Sequence, residues 1–203
     1  SADNNTAAGF KSLAANTTGA NNTAVGCGAL EDNTVGDQNT AVGGTALGDN
    51  TEGEYHAAFG YNALRKNTTA DNNSAFGYYA LACNTTGENN VAVGNNSLKT
   101  QTTASHNTAI GVEALNKNTT GCFNQAVGSF ALGCNTEGCQ NVAVGMSALI
   151  ANTTGDNHIA IGRLALTANT TADNNTAVGM SALKANTTGH DNVAVGCGAL
   201  FKN

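Results

Sequence analysis

The chain has 203 residues and a formal net charge of -6, with 11% charged residues, 5% aromatics, and neither Pro nor Trp. That acidic balance argues against a nucleic-acid or anionic-membrane partner, both of which need a basic face, and no apolar run nears the ~20 residues of a membrane span, so no membrane insertion is expected. So few large apolar side chains, if randomly ordered, would leave the chain disordered.

The order is far from random. From the N-terminus, "NTAAG" at Asn5–Gly9 alternates as a strand does, "FKSL" ends a short second run at Leu13, and "NTTG" at Asn16–Gly19 reads as a turn. The same sequence of features then returns, with its first glycine at Gly26, Gly43, Gly60, Gly77, Gly94, Gly111, Gly128, Gly145, Gly162, Gly179 and Gly196, always seventeen residues after the last. The consensus is N-T-A-V-G-x-x-A-L-x-x-N-T-T-G-x-N, and its columns are numbered below as positions 1 to 17, Asn5 being position 1.

Twelve units without an insertion or deletion make each unit a structural layer that cannot lengthen without disturbing its neighbours. Seventeen residues are too few for a helix pair. The expected fold is all-β: a β-solenoid of twelve 17-residue coils with parallel in-register ladders, forming a single domain over residues 1–203. On one face of the strand lie Asn, Ala and Gly, small enough for a tight interior. The core is then the column Leu13, Leu30, Leu47, Leu64, Leu81, Leu98, Leu115, Leu132, Leu149, Leu166, Leu183 and Leu200. Stacked Asn and Thr, as at Asn16 and Thr17, Asn67 and Thr68, Asn118 and Thr119, and Asn186 and Thr187, are expected to form polar ladders along the axis.

Solenoids normally end in atypical capping layers that protect the terminal strands. Here the first and last units both follow the consensus, so no capping layer is expected. Ser1 and Asn203 fall two positions apart in the repeat phase, which allows a second copy to continue the pattern from either end. The expectation is self-assembly by head-to-tail stacking of uncapped ends, with the chain itself as partner, and a longer fibre protein of which these residues are one segment as the alternative.

The units "NNVAVG", "NHIAIG" and "NNTAVG" resemble the head repeats of trimeric autotransporter adhesins, and related repeats in phage tail fibres and other surface fibres. That resemblance implies a fibre displayed outside the cell or on its surface, with an adhesive segment of such a fibre as the alternative function. Ice binding is a lesser alternative, since the regular Thr lies beside Asn in a turn.

No constellation supports catalysis or a cofactor. His56 and His158 fall in the position 1 column, His106 and His190 in turns, and all four read as turn residues. Asp37, Glu54, Asp71 and Glu88 share one column in successive layers, as do Asp156 and Asp173; a solvated acidic edge is expected there rather than a metal site. Cys122 and Cys139 share a column in adjacent layers, close enough to form a disulfide, while Cys134 and Cys139 flank one turn as a competing pair. Six cysteines allow fifteen pairings, and the spacing does not choose among them.

Overall fold

The computed structural model describes residues 2–202; Ser1 and Asn203, the two chain ends assigned to assembly, lie outside the described residues. The chain is an all-β solenoid. Twelve three-residue strands, β1 (Thr6–Ala8) through β12 (Val193–Val195), form one parallel sheet in chain order. Every pairing joins residues seventeen apart, such as Thr6 with Thr23 and Ala7 with Ala24.

The strand occupies positions 2 to 4 because these are the positions whose alternation can be satisfied. Position 3 is always Ala and points inward, fully buried at Ala24, Ala109 and Ala160. Position 4 points outward, leaving Val25 39% exposed and Ile110 41% exposed. At the strand's end Gly60 has φ +135°, and a Cβ there would stand 2.4 Å from the carbonyl oxygen of Gly77 in the next layer. The position 5 glycines are therefore spacers: any side chain would pry the layers apart.

The short second run that follows is a pair of tight turns. Ala46 N–H donates to Gly43 and Asn50 N–H to Leu47, while Leu47 N–H reaches Ala63 in the next layer. Each position 9 Leu has a left-handed backbone, φ 47–53°. That conformation costs an L-residue roughly 1–2 kcal/mol. It is held because it aims the side chain into the axis of the coil, where Leu30 through Leu183 are fully buried together with the alanines of positions 3 and 8. At the two ends of the stack Leu13 is half-buried and Leu200 is 49% exposed.

Candidate functional site

Each layer presents its neighbours with an upper and a lower surface, and these two surfaces carry most of the polar chemistry. The position 1 and position 12 asparagines of one layer converge on a single turn carbonyl. Asn5 Nδ2 and Asn16 Nδ2 donate to Gly19 O at 2.7 and 2.9 Å. Their oxygens then serve the next layer: Asn5 Oδ1 accepts Asn22 N–H, and Asn16 Oδ1 accepts Asn33 Nδ2. Both ladders run inside the solenoid, where water cannot compete and an unpaired amide would cost about 1–3 kcal/mol.

Asn67 and Asn118 are fully buried and make the same contacts, Asn67 to Ala70 O and Asn50 Oδ1, Asn118 to Gly121 O and Gln101 Oε1. Asn186 donates to Gly189 O and, at 3.4 Å, to Asn169 Oδ1. The threonines form an outer ladder. Thr17, Thr68 and Thr119 donate their hydroxyls to Thr34, Thr85 and Thr136 carbonyls one layer on, and Thr187 is exposed.

His56 and His158 are not turn residues at the surface but buried members of the position 1 ladder. His56 Nε2 donates to Ala70 O at 2.7 Å and Nδ1 accepts Asn73 N–H at 3.1 Å. His158 Nδ1 accepts Asn175 N–H in the same way. Burial holds both imidazoles below their usual pKa, against weaker opposing hydrogen bonds. A neutral ring is required, because Nδ1 must keep its lone pair to accept.

The acidic column has a partner too. Position 16 carboxylates accept the N–H of the same position in the preceding layer: Asp37 from Ala20, Asp71 from Glu54, Asp173 from Asp156. Where the column changes type, Ser105 Oγ accepts Glu88 N–H and Cys139 Sγ accepts Cys122 N–H. This use of the sulfur corrects the expected bridge: Cys122 and Cys139 do lie in adjacent layers, but both are free thiols, as are the other four cysteines. Among the described residues no three His, Cys, Asp or Glu side chains stand together as a metal would need.

The remaining surface is the outward face of the sheet, positions 2 and 4, continued by position 6 of the turn that follows. Phe59 and Phe76 stack on it at 5.0 Å, and Tyr61 on Tyr78 at 5.7 Å, with Tyr79 edge-on to both tyrosines. Comparison of the chain with known protein families, curated proteins and solved structures finds no match.

Proposed function

We propose that this chain is the structural material of an extracellular filament or surface fibre, elongated by stacking layer upon layer. The observation that supports it is the equivalence of the junctions. All eleven strand pairings are parallel and offset by the same seventeen residues, so each layer meets the next in the same register. A rod with this translational self-similarity accepts a further copy of itself as readily as its own next layer, through unpaired strand groups and open Asn and Thr ladders. The setting outside the cell rests on the likeness of the units to surface-fibre repeats.

Electron microscopy of the purified chain tests this. Long unbranched filaments with an axial subunit repeat of about 57 Å, twelve layers at ~4.8 Å each, are the expected result. Discrete rods of that length at every protein concentration would sink the proposal.

A further inference from the structure

The outward sheet face differs from the rest of the rod in charge. Across its three columns, positions 2, 4 and 6 in every layer, the single charged residue is Arg163. Over twelve layers the face is about 57 Å long, and the five residues from position 2 to position 6 make it about 13 Å wide. The resulting footprint of about 700 Å² per chain approaches the ~800 Å² per partner of a stable protein interface.

The charges outside this face are unevenly placed. Ten of the fourteen acidic residues fall at positions 14, 16 and 17, which lead into the strand, and six of the eight basic residues fall at positions 10 and 11, in the second of the two turns that follow it, beside Glu31, Asp32 and Asp49. Lys99 shows where the basic flank lies, its Nζ standing 5.2 Å from the Tyr79 ring that borders the face. The face is also uneven in size: Phe10, Met146, Arg163 and Met180 share layers with Thr6, Val142, Ile159 and Thr176, and the largest contrast lies in two adjacent layers. Tyr61 and Tyr78 stand at position 6 in the two layers whose position 2 residues are Ala57 and Ser74, while most other layers hold Thr or Val there. At strand spacing the two positions would be about 13 Å apart, too far for the small residue to relieve the large one within a chain.

We propose that this face binds the same face of a second copy, about a twofold axis parallel to the rod. Under that symmetry both rods point the same way and their strands run in opposite directions. Position 6 of one copy meets position 2 of the other at the same layer, seating Tyr61 and Tyr78 over the partner's Ala57 and the partner's Ser74. The acidic flank of each copy lies along the basic flank of the other. A twofold axis along the strands would instead set acidic flank on acidic flank. The pairing does not depend on end-to-end growth.

Mass per unit length, measured by scanning transmission electron microscopy on filaments or by native mass spectrometry on discrete rods, separates the two questions. Two chains of 20.3 kDa per ~57 Å are expected, whether or not the rods elongate. One chain per repeat overturns the pairing, even if a glycan or another protein then binds the face. Ser74→Lys with Val127→Lys, both on the face, should halve the mass per length, while Thr102→Lys, exposed at position 13 and outside the face and both flanks, leaves it unchanged, with circular dichroism confirming that all variants fold. Orientation is read by disulfide trapping in a chain with the six native cysteines replaced by serine. Val25→Cys should link to itself in the second layer. If it links only to Val178→Cys in the eleventh, the rods are antiparallel and the proposed axis is wrong.

Discussion

Gln101 stands in a column that is asparagine in the other described layers, and its one extra methylene alters both ladders around it. Its Nε2 still reaches the turn carbonyl, Ala104 O at 2.9 Å, but its Oε1 accepts from both Asn107 and Asn118. No amide then points back at the preceding layer, and buried Asn84 Oδ1 is left without a donor. The substitution has a companion. Position 15 is Gly except at Ala70, Ala104 and Ala172, and those are the three turns whose carbonyl is held by a longer side chain, His56, Gln101 or His158, in place of one asparagine. In a glycine layer an added Cβ would crowd the asparagine oxygen, as at Gly87, where Asn84 Oδ1 would stand 2.5 Å away. The longer side chain and the alanine turn go together in all three layers. Gln101→Asn alone should therefore destabilise the fold, and adding Ala104→Gly should reverse the loss and restore the donor to Asn84. A double-mutant cycle by chemical denaturation should give a favourable coupling of about 1–3 kcal/mol between the two changes. Additive effects would mean that the two columns are independent.

Within the strand, the inward and outward columns differ in how much volume they tolerate. Ala109 is fully buried between Ala92 and Ala126 of the flanking layers and faces the leucine column, so Ala109→Val inserts two methyl groups where no space exists. A loss of about 1–3 kcal/mol is expected. Thr176→Val, on the outward side where Val193 already occupies the same column, should stay within about 0.5 kcal/mol. Equal costs for the two, by thermal or urea unfolding, would contradict the assigned faces. This inward-outward pattern was legible in the sequence because alternation and small size both carry a physical meaning that survives without coordinates. The corners were not legible. Positions 7, 9 and 17 all adopt left-handed backbone, yet they hold residues as unsuited to it as Leu64, Tyr79 and Phe123. The asparagines of position 17, such as Asn72 and Asn174, and Gly28, Asn62, Asn96 and Gly198 at position 7 hinted at it. The Ala-Leu segment could be read only as a short second run, and two adjacent inward residues are what a pair of turns buries, whereas a strand buries alternate ones. The acid column and Cys122 with Cys139 were placed correctly in layers, but spacing alone does not reveal that a backbone N–H in the layer before needs an acceptor there.

The whole rod is a sum of near-identical junctions, because most of its long-range contacts join each layer only to the layers on either side. In such a quasi-one-dimensional molecule the unit of tolerance is the layer, and length is tolerated only in whole units. Removing Asn90–His106, one complete repeat, joins Asn89 to Asn107 and preserves every column. It also removes Gln101 and Ala104, bringing Asn84 below Asn118 so that the inner ladder closes. The shortened chain should fold to a rod shorter by about 4.8 Å, one layer, with a thermal midpoint within a few degrees of the parent. Removing only residues 90–97 shifts every later column out of phase, so that leucines, asparagines and spacer glycines no longer stack on their own kind and the parallel register is lost at that junction. Small-angle scattering for the maximum dimension and a urea titration for cooperativity distinguish the two deletions. If the seventeen-residue deletion unfolds the chain as thoroughly as the eight-residue one, the layers are not interchangeable, and the self-similarity on which stacking between copies depends is lost with them.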